Sequence, residues 1–444
     1  MSKTPIYDFV KEYAKGDNSR FHMPGHKGKA VLGCEDCDLT EIDGADSLFE
    51  ADGIIAQSEK TLSEIFGTRA SFYSTEGSSL CIRTMLFLAT CKNSVSGKRK
   101  KVLAARNVHK SFLSAAALCD FDVEWLSCEG DNLYSCTVNE KKLEEKLLSG
   151  EEYCALYVTS PDYLGNMLDI ASLSRVCRKH SLPLVVDNAH GAYLAFFGLH
   201  PMQLGADMCC DSAHKTLPVL TGGAYLHVSK ECIYNYEADV KCAMSLFAST
   251  SPSYLVLASM DKANEMMLSD DINRYQWAKT RADRIRNVLL RRNIGMTGTE
   301  PLKITVCAKS AGYTGTELAE MMKDSKIYVE FCDEDFAVLM LSPQNSDGDF
   351  ERLESFFNNL CLKTPVASCV PEIPVCRSVM TQRQASFAKK ILVNAKDAKG
   401  RVLAAPSVSC PPAIPVAVCG DELCDDALKC FEYYGIHRVL VVEE

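Results

Sequence analysis

A single lysine among small hydroxylated residues is the feature of this sequence that most clearly indicates chemistry. Lys215 lies in the segment 211–217 (DSAHKTL), directly after a short segment at 206–210. Upstream, the apolar run 182–186 ends at Asp187. Pyridoxal phosphate (PLP) chemistry needs a lysine that holds an aldehyde as a Schiff base and a carboxylate that keeps a pyridine nitrogen protonated. The two residues therefore indicate PLP as the cofactor.

A serine-rich turn supplies a candidate phosphate site. The segment 74–80 (STEGSSL) precedes a helix-compatible run that continues to residue 89. Backbone N–H groups, hydroxyls and the helix dipole at such a start favour a phosphate. The residues that would face it are Gly77, Ser78 and Ser79. The same residue types are more often simple helix caps, so the turn is informative only together with the lysine and the aspartate.

The order of the candidate segments is more specific than any one of them. His109, in the segment 107–112 (NVHKSF), could stack on the pyridine, although a loop histidine is more often exposed or structural. A Ser-Pro turn follows at 160–165 (SPDYLG). Phosphate turn, histidine, Ser-Pro turn, Asp187 and Lys215 occur in the order found in fold-type I PLP enzymes. The gap between the last two fits one helix and one strand.

Short apolar strands alternate with helical patterns along the chain, which is typical of a mainly parallel α/β fold. The strands predicted in the first part are 102–105, 155–159, 184–186 and 224–228. A helix is predicted over 173–180, and a long charged helix over 270–293. This part is expected to form a large domain in which a mostly parallel seven-stranded sheet lies between helices.

A second α/β region and a third segment follow. The predicted strands are 302–307, 327–331 and 336–341, and the predicted helices are 314–323 and 349–360. A proline-rich linker at 364–374 precedes a segment that is helical near 378–393 and irregular around 410–415. The expected divisions are an N-terminal arm (1–20), a PLP-binding large domain (21–270), a small α/β domain (271–363) and a C-terminal domain (364–444).

Composition narrows the possible partners and locations. The 444 residues are 47% hydrophobic with a net charge of −10, which argues against nucleic acid or an anionic membrane as a partner. No apolar run is long enough to span a membrane, and the N-terminus lacks a secretory signal, so we expect a cytoplasmic protein. The 22 cysteines lie mostly in apolar runs and are expected to be reduced. Cys34 and Cys37 have metal-ligand spacing but no second matching pair, so no metal site is expected.

Several motifs make the resemblance more specific than one to fold-type I PLP enzymes in general. Segments 4–10 (TPIYDFV), 21–28 (FHMPGHKG) and 43–49 (DGADSLF) resemble the opening of the Orn/Lys/Arg decarboxylase family of the short bacterial type, and 212–218 (SAHKTLP) fits it as well. Arg401 and 410–415 (CPPAIP) resemble the C-terminal signature of that family. The likeness covers nearly the whole chain, and it implies the aspartate aminotransferase-like fold of fold-type I enzymes. The implied reaction is α-decarboxylation of arginine, lysine or ornithine.

The resemblance also implies roles for individual residues. Lys215 would bind the PLP aldehyde, Asp187 would pair with the pyridine nitrogen, and His109 and Ala189 would cover the two ring faces. His190 would lie beside the ring. The phosphate would be held by Gly77, Ser78, Ser79, Ser212 and His214, with Thr250 supplied by a second subunit. A homodimer or a higher homo-oligomer with shared active sites is therefore expected.

Two other functions remain open at this stage. The chain could use PLP for amino transfer or β-elimination, or it could be a non-catalytic homologue that acts as a regulatory subunit. Arginine residues that could bind a substrate carboxylate, as aminotransferases require, are Arg377, Arg383 and Arg401. Intact Lys215 and Asp187 favour an enzyme over a regulatory subunit.

Overall fold

The computed structural model describes residues 3–93, 98–126, 133, 136–269, 272–367, 370–405 and 414–443. The strands of the main sheet are β1 (Ala70–Ser74), β2 (Lys101–Ala104), β3 (Asp122–Trp125), β4 (Ala155–Thr159), β5 (Leu184–Asp187), β6 (Met208–Asp211) and β7 (Ala224–Val228). Their order in the sheet is β1-β7-β6-β5-β4-β2-β3. Strands β5 and β6 are parallel, as are β2 and β3, whereas β7 runs antiparallel to both of its neighbours. The prediction of a mostly parallel seven-stranded sheet is confirmed.

Eleven helices occur among the described residues up to Arg291. They are α1 (Pro5–Lys15), α2 (Ile54–Phe66), α3 (Gly77–Lys92), α4 (Lys110–Cys119), α5 (Glu140–Leu148), α6 (Ile170–Lys179), α7 (Pro201–Leu204), α8 (Ala213–Thr216), α9 (Val240–Ser245), α10 (Tyr254–Met267) and α11 (Ile272–Arg291). Helix α6 shows why they form: its apolar residues recur every three or four positions, which gives one buried face. A 3-10 helix spans Ala192–Phe197.

Smaller sheets lie in the C-terminal part of the chain. The strands are β8 (Gly295–Thr297), β9 (Lys303–Cys307), β10 (Phe331–Cys332), β11 (Phe336–Met340), β12 (Arg377–Ser378), β13 (Lys390–Asn394), β14 (Asp421–Glu422) and β15 (Arg438–Val442). They form an antiparallel sheet in the order β10-β11-β9-β8 and two antiparallel pairs, β12 with β14 and β13 with β15. The helices here are α12 (Gly315–Asp324), α13 (Asp347–Asn359), α14 (Gln382–Phe387) and α15 (Asp425–Tyr433), with 3-10 helices at Ala308–Ala311 and Ala395–Asp397.

The chain divides into two compact units. The first comprises Met1–Ser94, Cys154–Leu156 and Ile170–Asn273, and the second comprises Val95–Tyr153, Tyr157–Asp169 and Arg274–Glu444. In the first unit every residue of β5, β6 and β7 is buried. This continuous burial is typical of strands covered on both faces. Asp187 and Asp211 are the last residues of β5 and β6, so these buried strands set their positions.

Two predictions of secondary structure are wrong. The expected strand at 327–331 is limited to β10, because residues 327–330 are only partly buried or exposed and make just one ladder bond, from Glu330 N–H to the Val338 carbonyl. The expected helix at 378–393 is replaced by the short helix α14 and the strand β13. Strand β13 pairs along its whole length with β15, and this distant pairing outweighs the local helical pattern.

The predicted linker and the C-terminal signature both include residues outside the described ranges. No regular element occupies the described residues of the predicted linker at 364–374. Residues 410–413 of the C-terminal signature lie outside the described residues. Every cysteine of the described ranges is a free thiol. Within those ranges, no helix combines the length and apolar character that crossing a membrane requires.

Candidate active site

The amine of Lys215 contacts an imidazole in the first unit. Lys215 lies in the single-turn helix α8, immediately after β6, and its Nζ is 3.0 Å from Nε2 of His190. His190 is almost completely buried, whereas Lys215 is half-buried. The imidazole nitrogen is thus placed to exchange a proton with the amine. Sequence reasoning named both residues but did not predict this contact.

Asp187 ends β5 and is 2% exposed. Its Oδ1 accepts a hydrogen bond from the Ala189 N–H at 3.1 Å and from the Cys210 thiol, whose Sγ is 3.7 Å away. Cys210 is the residue paired with Asp187 in the β5–β6 ladder. The carboxylate is therefore held in one orientation at the strand end, three residues before His190.

The predicted phosphate turn forms the start of α3. Gly77 has φ +70°, and its N–H donates to the Gly222 carbonyl at 2.7 Å, so this amide already has a protein acceptor. The Ser212 hydroxyl donates to Ser78 Oγ at 2.8 Å, which brings the loop before Lys215 against the helix start. Ser79 is partly buried in the same first turn. Hydroxyls and a helix N-terminus are thus adjacent, as an anion site requires.

Two further residues of the predicted phosphate site have different surroundings. The backbone N–H and Nδ1 of His214 both contact the Gly223 carbonyl, at 3.1 and 2.9 Å, which fixes the imidazole beside the loop. Thr250 is exposed. The preceding residue, Ser249, donates its N–H to Oε1 of Glu76 at 2.6 Å, next to the start of α3. The contribution of Thr250 to a second subunit stays a prediction.

His109 belongs to the second unit. It is exposed and caps the N-terminus of α4, where its Nδ1 accepts a hydrogen bond from the Ser111 N–H at 3.2 Å. Because Nδ1 is an acceptor, a neutral imidazole carries its proton on Nε2. Its stacking on a pyridine ring stays a prediction.

Sequence reasoning missed a buried cluster around Asp211, the last residue of β6. Its carboxylate lies 3.0 Å from His200 Nε2 and 3.2 Å from His227 Nε2, and it accepts a hydrogen bond from Asn188 Nδ2 at 2.7 Å. Burial alone would raise the pKa of this carboxyl, but the two imidazoles more than offset burial and hold the pKa well below its usual range. The signal in the sequence was the presence of two polar residues, Asp211 and His227, in mainly apolar strands.

Neutral thiols surround the two carboxylates. Burial raises the pKa values of Cys81, Cys209 and Cys210, and the charges of Asp187 and Asp211 raise them further. These cysteines are therefore protonated and do not act as nucleophiles.

The residues of the first unit fit PLP. They provide a lysine amine, a buried carboxylate at a strand end, and paired hydroxyls at the start of a sixteen-residue helix. These are the groups needed for the aldehyde, the ring nitrogen and the phosphate, respectively.

Comparison with known proteins gives a family match. The family described as "Orn/Lys/Arg decarboxylase, major domain" matches residues 4–297. A protein named arginine decarboxylase from Bacillus subtilis is 28% identical over 463 residues, covering 96% of this chain and 92% of the relative. A second protein of that name, from Halalkalibacterium halodurans, is 27% identical with the same coverage.

Comparison with solved structures confirms the fold. The lysine decarboxylase of Francisella novicida superposes with a TM-score of 0.79 at 17% identity, covering 99% of this chain and 81% of that one. The sheet order and these similarities confirm the predicted α/β fold of fold-type I PLP enzymes.

Proposed function

Because the chain belongs to the Orn/Lys/Arg decarboxylase family, we propose that it decarboxylates a basic amino acid with PLP as its cofactor. The products would be the corresponding amine and carbon dioxide. The observation that carries the proposal is the 3.0 Å contact between Lys215 Nζ and His190 Nε2, which lies three residues after the buried Asp187.

Each predicted residue has a role in this proposal. Lys215 binds the aldehyde, Asp187 pairs with the ring nitrogen, and His109 and Ala189 cover the ring faces while His190 lies beside the ring. The phosphate is held by Gly77, Ser78, Ser79, Ser212 and His214, with Thr250 from the second subunit of a homodimer. When bound, PLP supplies an electron sink that accepts the electron pair of the breaking carbon–carboxylate bond.

The chain itself supplies orientation and a proton. A proton must replace the carboxylate on the substrate Cα after carbon dioxide leaves. The ammonium of Lys215 can deliver it, and His190 Nε2 lies close enough to exchange a proton with the same amine. Hydrogen bonds from the Ala189 N–H and the Cys210 thiol fix the orientation of the Asp187 carboxylate.

Three arginines that were candidates for binding a substrate carboxylate have partners of their own. Arg377 pairs with Glu422, Arg383 donates to the Ala117 carbonyl, and Arg401 donates to the Val442 carbonyl. These residues were the candidates for binding a substrate carboxylate, and each has a partner within its own unit. An ion pair with the departing carboxylate would stabilise the substrate more than the transition state, because the charge is lost as carbon dioxide forms.

The test is to incubate the purified protein with PLP and with arginine, lysine or ornithine. Amine and carbon dioxide should form in equal amounts from at least one of the three. The names of the relatives make arginine the first choice. A keto-acid product would instead indicate amino transfer, and PLP binding without turnover would indicate a regulatory homologue.

Borohydride reduction tests the role of Lys215 directly. Reduction of the protein with PLP should leave a covalent adduct on the peptide that contains Lys215. Lys215→Ala should lose the adduct and the activity, whereas Lys230→Ala, which removes an exposed lysine of the same unit, should keep both. An adduct on any other lysine would disprove the assignment.

A further inference from the structure

The cluster of Asp211, His200 and His227, here called the buried triad, has no role in the proposed function. All three side chains are completely buried. Both imidazoles approach the same oxygen, Oδ2 of Asp211, while its Oδ1 accepts the hydrogen bond from Asn188. A carboxylate without solvent is stable only with such partners.

The hydrogen bonds around the imidazoles place their protons. The Met202 N–H donates to His200 Nδ1 at 3.3 Å, so a neutral His200 carries its proton on Nε2 and donates it to Asp211. The other nitrogen of His227 lies 2.7 Å from Ser71 Oγ, and burial lowers the pKa of His227. The low pKa of Asp211 keeps a negative charge on its carboxylate within the triad.

The same protons argue against a metal site. His200, Cys209 and Asp211 have ligand atoms close enough to bind a metal ion. However, Nδ1 of His200 accepts a hydrogen bond from the Met202 N–H, so coordination of a metal through Nε2 would leave this imidazole without a proton on either nitrogen. The triad is therefore better explained as a hydrogen-bonded carboxylate.

Asp211 of the triad is linked to two parts of the candidate PLP site, the phosphate turn and the turn that carries Asp187. Asp211 directly precedes Ser212, whose hydroxyl contacts the first turn of α3. Asn188 directly follows Asp187, and its backbone N–H also donates to the Cys210 carbonyl at 2.9 Å. A single buried carboxylate thus restrains the residues on either side of the site.

We infer that Asp211 is a positioning residue for PLP, an inference that rests on the proposed function. Its carboxylate fixes the Asn188 side chain and with it the turn 187–189 that carries Asp187. Its negative charge also favours the proton on the ring nitrogen, because charges interact strongly where water is excluded. The titratable groups that face Asp211 are His200, His227 and Cys209, and Cys81 and Cys210 are close to it.

The test is Asp211→Asn in the full-length protein. Loss of a group that orients a metal ligand typically costs about 10- to 100-fold in metal affinity, and we expect a rise of the same order in the PLP dissociation constant. The pH midpoint of the absorbance change of bound PLP should fall by about one unit, because removal of a nearby negative charge destabilises the protonated cofactor.

Asp207→Asn is the matched control. Asp207 is buried and directly precedes β6, and its carboxylate accepts a hydrogen bond from the Leu184 N–H at 2.8 Å. This contact lies at the start of β5 and β6, whereas Asp187 and Asp211 lie at their ends. This substitution should leave PLP affinity and the pH midpoint unchanged. Equal effects of the two substitutions would reduce Asp211 to a structural role and overturn the inference.

The outcomes separate this inference from the proposed function. A wild-type protein that takes up no PLP overturns both. A wild-type protein that binds PLP, with an unchanged Asp211→Asn variant, overturns only the inference. If Asp211→Asn does not fold, Asn188→Ala removes the hydrogen bond between Asn188 and Asp211 and keeps the charge of Asp211. PLP affinity should then fall while the pH midpoint stays unchanged. Unchanged affinity would overturn the inference.

Discussion

Burial raises the pKa values of several carboxyl groups in this protein, and Asp261 is one that lies outside the candidate active site. Its Oδ2 accepts hydrogen bonds from the N–H groups of Ile6 and Tyr7, both at 2.9 Å, and its Oδ1 accepts one from the Ser58 hydroxyl. Burial raises the pKa of Asp261 from 3.8 to about 6. The side chain thus holds the start of α1 and titrates close to neutral pH.

The raised pKa predicts a pH-dependent stability. The folded state binds the proton of Asp261 more tightly than the unfolded state, so this contribution to stability is fully present below pH 3.8 and is lost as the pH rises through about 6. Compared with Asp261→Asn, the wild-type protein should therefore gain unfolding free energy between pH 7 and pH 5. Urea denaturation of both proteins at the two pH values measures the difference. A constant difference would contradict the assigned pKa.

The strand-to-helix turn at the start of α3 depends on a second loop. Gly222 accepts the Gly77 N–H and has φ +101°. A Cβ atom at Gly222 would lie 2.8 Å from the carbonyl oxygen of Thr75, which is closer than side chains tolerate. The loop after α8 therefore needs glycine here to approach the candidate phosphate turn.

Gly222→Ala should destabilise the protein and weaken PLP binding. The strained backbone and the close contact should cost about 1–3 kcal/mol, and displacement of Thr75 should move the hydroxyls of the turn. Gly150→Ala is the matched control, because Gly150 also has a positive φ, +86°, but a Cβ there would meet no atom within 4 Å. Thermal unfolding and PLP titration measure both effects. Equal losses in the two variants would show that backbone strain alone is responsible.

A separate hydrophobic core forms around the C-terminal residues of the chain. Helix α15 and strand β15 pack against buried residues that come from distant parts of the second unit. The fully buried members of this cluster include Leu133, Ala398, Leu403, Val416, Ala417, Ala427, Cys430, Phe431 and Val441. Residues far apart in sequence therefore fold together here.

Phe431→Ala should be severely destabilising. Removing a fully buried aromatic ring leaves a cavity and should cost about 3–5 kcal/mol. Phe387→Ala removes the same atoms from a side chain that is 66% exposed, and it should change stability little. Urea denaturation measures the difference. Similar effects of the two substitutions would mean that the α15 core contributes little to unfolding.

The sequence alone determined the elements whose signals are local. The strands 155–159 and 224–228 have the predicted ends, since these mainly apolar runs stop at or just before a polar residue. Helix α12 begins after Thr314, which forms a capping box with Glu317. The order of Asp187 and Lys215 at strand ends was readable for the same reason.

Only the tertiary structure decided which distant residues meet. The contact of Lys215 with His190, and the two imidazoles on Asp211, depend on strands and loops that become neighbours through sheet pairing. Strand β13 was mistaken for a helix because its partner, β15, lies more than forty residues away. Burial and strand pairing are properties of the assembled chain, so they appear only once the residues have been brought together.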